Sequence, residues 1–103
     1  MAEFVTVATV DEVPPGERIV VEVDDHFIAV FNVGGKYYAI EDVCTHDGGP
    51  LAEGTLEDYR IECPRHGGAF DIRSGKVLSW PATQPVPWYE VRVVDDEIQV
   101  ALG

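Results

Sequence analysis

The stretches CTHDGGPL (44–51) and CPRHGGAF (63–70) hold both cysteines of the chain and two of its three histidines. One residue separates cysteine from histidine in the first stretch and two in the second, and each pair is followed closely by glycines. A thiolate and an imidazole from each stretch make a donor set of two sulfurs and two nitrogens. Such a set suits either tetrahedral zinc or an iron–sulfur cluster of mixed ligation. Cys44, His46, Cys63 and His66 are therefore the candidate metal ligands, with sixteen residues between His46 and Cys63. One pair alone would carry little weight; two in matching contexts are a specific signal.

On either side the periodicity is that of strands. FVTVATV (4–10) alternates, ERIVVEV (17–23) is β-branched, and DD at 24–25 reads as a turn into HFIAVFNV (26–33). GG at 34–35 is a two-residue turn signal before KYYAIEDV (36–43). YEVRVV (89–94) and EIQVAL (97–102) flank DD at 95–96 as a closing hairpin. Between them, residues 44–87 are rich in Gly and Pro. Short strands are expected there around RIECP (60–64), GAFDI (68–72) and KVL (76–78), with a turn at RSG (73–75). No helix longer than about a turn is predicted. The expectation is an all-β protein, two long hairpins or a small barrel carrying a loop-rich insert. Each Cys/His stretch then begins where a strand ends, and two neighbouring hairpin tips bring the four ligands together on a rigid scaffold.

With 103 residues, the chain is read as one domain, 1–103. Nothing near the start has the basic and apolar regions of a secretory signal, and no run approaches the roughly 18 apolar residues that span a bilayer. A cytoplasmic location is the expectation, and a reducing compartment argues against a Cys44–Cys63 disulfide. The formal charge of −12 repels nucleic acid and anionic membrane surfaces and steers the chain toward a positively charged protein partner. Simple solubility explains the same charge.

The glycines bear on the choice of metal. DGG (47–49) and GG (67–68) supply backbone that reaches positive φ and approaches a ligand closely. Inward N–H groups there would stabilise bridging sulfides, which a bare zinc ion lacks. The two motifs resemble those of the Rieske [2Fe–2S] proteins. The likeness extends to Pro50-Leu51, to Pro64 and to GAFDIRSGKVLSWPA (68–82), and SWPATQP (79–85) resembles the proline loop that covers the cluster in that family.

The resemblance implies a Rieske-like fold of stacked antiparallel sheets, with a cluster-binding subdomain at about 43–85 inserted in a β base. It implies one [2Fe–2S] cluster, with Cys44 and Cys63 on one iron and His46 and His66 on the other. The cytochrome-complex branch of the family carries a loop-bracing disulfide and two cluster-directed hydroxyls. The matching positions here are Gly49 and Arg65, then Gly68 and Phe70, which supply neither. Fewer donors to the reduced cluster place the expected potential in the lower part of the Rieske range, roughly −150 to +300 mV. The chain is most similar to the soluble Rieske-type ferredoxins.

That likeness implies a one-electron carrier between a ferredoxin reductase and a terminal oxygenase, a monomer and not itself an enzyme. Three other readings remain open: the small subunit of an assimilatory nitrite reductase, an accessory ferredoxin of iron–sulfur assembly, and a zinc-stapled interaction module. No hydrolase triad, phosphate loop or nucleotide fingerprint is present in the sequence. His26 reads as an ordinary surface residue. Trp80 reads either as part of the cluster cover or as plain packing. Trp88, Tyr89, Tyr37 and Tyr38 read as core or half-buried surface. Arg65 is a docking contact or a solvated charge. Asp47, Glu53, Glu57, Asp58 and Asp71 form either a docking patch for a basic partner or merely acidic loops.

Overall fold

The computed structural model describes residues 3–43, 50–64, 67–80 and 84–102. The strands are β1 (Phe4–Thr9), β2 (Arg18–Val23), β3 (His26–Val33), β4 (Lys36–Glu41), β5 (Thr55–Glu57) and β6 (Arg60–Glu62). They continue with β7 (Ala69–Asp71), β8 (Val77–Ser79), β9 (Trp88–Tyr89), β10 (Val91–Val94) and β11 (Glu97–Ala101). The only helix among the described residues is one 3-10 turn, Val10–Glu12. None is long and apolar enough to cross a membrane.

Three antiparallel sheets form, ordered β1-β11-β10, β2-β3-β4-β9 and β5-β6-β7-β8. The middle one is buried on both faces, which is why β3 carries the unbroken apolar run Ile28–Phe31 and not an alternating pattern. Successive side chains point to opposite faces. Ala29, Phe31 and Ile40 pack with Leu51, Ile61, Cys63, Phe70 and Ile72 on one side. Ile28, Val30 and Ala39 pack with Ile98 and Val100 on the other. All-β architecture with turns at 24–25, 34–35 and 95–96 is as expected. At the first and last of these, Asp24, Asp25 and Asp95 take positive φ with no glycine.

Three details differ from the sequence reading. The stretch from Trp88 to Val94 is not one strand. It breaks at Glu90, so that β9 pairs with β4 while β10 pairs with β11, because the chain crosses there from the middle sheet to the first. TLE (55–57) is an additional strand; its polar ends hide a register fixed by β6. The amino-terminal strand pairs with β11, a contact between distant segments that periodicity does not encode.

The chain leaves the middle sheet after β4, builds the small third sheet, and returns to it at β9. The return is tied at Gly75, whose carbonyl accepts the Val86 N–H at 2.9 Å. Gly75 has φ +76°, and a Cβ there would run into the Val86 carbonyl oxygen. Gly75→Ala should therefore cost about 3 kcal/mol in urea unfolding, through combined overpacking and backbone strain. Gly35→Ala has open space at φ +91° and should cost only about 1 kcal/mol, for the backbone conformation alone.

Candidate metal centre

The second Cys/His stretch begins where β6 ends. The Cys63 N–H donates to the Gly68 carbonyl at 2.6 Å, and the Gly67 N–H donates back to the Cys63 carbonyl at 3.3 Å. These bonds close the loop between β6 and β7, and Gly67 takes φ +79° to make the turn. The Gly67 N–H is thus engaged within the loop and does not provide the inward donor that its glycine suggested. Cys63 is 2% exposed and its thiol is free, so the side chain stands in the core among Leu51, Phe70 and Val86.

The first stretch leaves the end of β4 and returns to described structure at Pro50. Val43, just before it, and Leu51, just after it, pack into the same apolar cluster as Cys63. The residues flanking the first loop and the start of the second therefore share one apolar cluster. Asp42 binds the first loop's base: its Oδ1 accepts the Leu51 N–H at 2.8 Å and the Ala52 N–H at 2.7 Å. The sequence reading passed over Asp42, although an aspartate two residues before a candidate ligand is a typical local acceptor of backbone N–H groups. Cys44, His46 and His66 lie outside the described residues, as do Asp47, Gly49, Arg65 and Pro81.

A buried thiol outside any disulfide, packed with the residues that flank the first stretch, suits a metal–sulfur centre. Its surroundings are apolar on the protein side, which sets solvent access and local dielectric. No group of three or more His, Cys, Asp or Glu placed to hold a metal ion occurs among the described residues.

The flanking residues refine several expectations. Ser79 pairs with Ala69, so Trp80 emerges at the ligand-loop end of the third sheet. It is 81% exposed, so its side chain does not pack in the core of the described residues. Trp88 is 53% exposed and likewise not core. Glu57 and Asp58 sit at the β5–β6 turn, the opposite end of these short strands from Cys63. Asp71 is held by Arg73 through Nε at 3.0 Å and Nη2 at 2.8 Å, which pulls its carboxyl below the usual aspartate range. Among the described residues, Glu62 lies nearer the second stretch, paired with Arg60 at 2.8 Å and close to Gly67, and Glu53 precedes Gly54, which packs on the Glu62 backbone.

His26 has a partner after all. Its Nδ1 lies 2.9 Å from Glu41 Oε1, and the Tyr89 hydroxyl donates to Glu41 Oε2 at 2.9 Å. The bond to Glu41 and its charge raise the His26 pKa above 6.5. Burial, followed by that same carboxylate, pushes the Tyr89 hydroxyl up to about 12.

The described residues form a β-protein in which one buried cysteine, Cys63, stands at the end of β6. The model of the Rieske [2Fe–2S] domain matches residues 3–90, and the chain belongs to this family. Its cofactor is accordingly one [2Fe–2S] cluster. It is 41% identical over 98 residues to the biphenyl dioxygenase ferredoxin subunit of Pseudomonas sp. strain KKS102, covering 94% of this chain and 90% of that one. Among solved structures it resembles the ferredoxin of carbazole 1,9a-dioxygenase from Nocardioides aromaticivorans IC177. The TM-score is 0.90 at 38% identity, covering 95% of this chain and 96% of that one. It also matches, with TM-score 0.88 and 41% identity, a chain from a complex of reduced oxygenase and oxidized ferredoxin in carbazole 1,9a-dioxygenase. That match covers 95% of this chain and 92% of the other.

The His26–Glu41 contact predicts a pH effect. A pKa raised by folding means that the pair's contribution is fully present below pH 6.5 and is lost as pH rises through the higher folded value. NMR titration of the His26 ring should give a midpoint above 6.5, returning toward it in Glu41→Gln. An unchanged midpoint in that variant would show that Glu41 is not the cause.

Proposed function

We propose that this chain is the ferredoxin component of a ring-hydroxylating oxygenase system, with Cys44, His46, Cys63 and His66 as the ligands of its cluster. It passes single electrons from a reductase to a terminal oxygenase and binds no substrate itself. The observation that carries this reading is Cys63, buried and outside any disulfide in the same apolar cluster as Val43 and Leu51, in a chain with the complete C-x-H and C-x-x-H set. The relatives described above, ferredoxins of biphenyl and carbazole dioxygenases, support it. They lend no support to a nitrite reductase subunit, an assembly accessory or a zinc module.

When bound, the [2Fe–2S] cluster supplies one-electron chemistry at a potential that two neutral imidazoles raise above that of an all-cysteine site. The protein's part is to hold the thiolates, exclude water on the core side, and present a surface where a partner can approach. Residues 43–85 then act as a cluster-binding subdomain of the single domain 1–103. The chain works as a monomer that docks by its ligand-loop end. There Glu53 and Glu62 offer charge to a basic partner, and Trp80 offers an exposed aromatic anchor of the kind that dominates interfaces.

Anaerobically reconstituted protein should be red-brown and contain about two irons and two acid-labile sulfides per chain. Cys63→Ser should abolish the electron-spin signal of the reduced form. In an oxygenase-coupled assay, Trp80→Ala should raise KM for the carrier with the midpoint potential unchanged, and added salt should slow association. Colourless, iron-free material would overturn the assignment.

A further inference from the structure

We propose that Asp42 is a positioning residue, a clasp that sets the shape of the first ligand loop and thereby the placement of its thiolate and imidazole. The inference rests on the reading above that Cys44 and His46 are ligands. One oxygen, Oδ1, receives both N–H groups at the loop's return, Leu51 and Ala52, at 2.8 and 2.7 Å. Those distances are short for N–H···O and fit the charge-assisted class. The bonds tie residue 42 to residues 51 and 52, closing the span that contains both candidate ligands.

The clasp itself is anchored. The Asp42 N–H donates to the Phe27 carbonyl at 2.8 Å, and the Glu41 N–H donates to the Pro87 carbonyl at 2.9 Å. Glu41 is further held by His26 and Tyr89. Asp42, the residue directly after β4, is thereby held to the end of the middle sheet. On the far side, Leu51 is wholly buried beside Cys63, and its carbonyl accepts the Gly54 N–H at 2.9 Å. Gly54 lies directly against the strand that leads to Cys63, for a Cβ there would meet the Glu62 carbonyl oxygen. One carboxylate oxygen thus registers the first ligand loop against the segment that carries the second. Outer-shell partners of this kind orient metal ligands and typically change metal retention by tenfold or more.

The test compares holoprotein of Asp42→Ala, which removes the acceptor, with Asp42→Asn, which keeps an oxygen in place without the charge. Chelator-driven iron release should be about tenfold faster in Asp42→Ala, ahead of any loss of the β-sheet circular dichroism signal, with shifted electron-spin lines. Asp42→Asn should stay within about twofold of the parent in release rate and keep its line positions. Deuterium exchange of the peptide carrying Leu51 and Ala52 should accelerate only in Asp42→Ala. Parental iron release and exchange in Asp42→Ala would overturn the proposal. So would Asp42→Asn behaving like Asp42→Ala, or iron loss that merely follows global unfolding. Failure of the parent chain to acquire iron would instead sink the ligand assignment, leaving exchange at Leu51 and Ala52 to decide the clasp.

Discussion

Phe70, Ile61 and Leu51 packed against Ala29, Phe31 and Ile40 hold the ligand loops to a rigid support. The small sheet is built from strands of three residues, too short to persist alone in water. Its order is borrowed from the middle sheet through this contact. Each fully buried large apolar side chain contributes about 1.5–3 kcal/mol. Cys63 belongs to the same cluster, so the position of its sulfur is settled by core packing. A carrier benefits from that arrangement, because a rigid site has little to reorganise as an electron arrives and leaves.

Charge is organised around the same frame. Most of the cations described are used inside the protein. Arg18 donates to the Gly54 carbonyl at 2.9 Å, bridging the middle sheet to the segment behind the first loop. Arg73 grips Asp71 and lies 4.1 Å from the Tyr59 ring centroid, and Arg60 pairs with Glu62. Arg92 lies 4.0 Å from the ring centroid of Phe4 and donates to Gln99. Acidic residues outnumber these groups, and the chain's formal net charge is −12. Against that field the exposed Trp80 stands out, because an aromatic ring in water carries a cost that only a partner's surface can relieve.

Much was legible in the sequence because it depends on local chemistry. Positive-φ turns at 24–25, 34–35 and 95–96 announce hairpins, and the run at 28–31 marks a strand buried on both faces. The two Cys/His spacings specify a four-donor centre and, with the loop residues around them, the family. What stayed hidden involves partners distant in the chain or matters of orientation. His26 looked isolated because Glu41 is fifteen residues away. The acids at 57 and 58 looked close to the ligands because sequence distance ignores that a hairpin turn points away from its base.

Residue identity and short-range spacing alone determined the candidate donor set, the all-β class and the net charge, because each follows from side-chain chemistry or a two-residue period. Tertiary structure alone decided that the Cys63 sulfur is buried with the residues flanking the first loop, that Asp42 fastens that loop's base, and that Trp80 faces water. Those outcomes depend on which strands lie side by side, and that is selected by burial of the whole core and by no segment on its own.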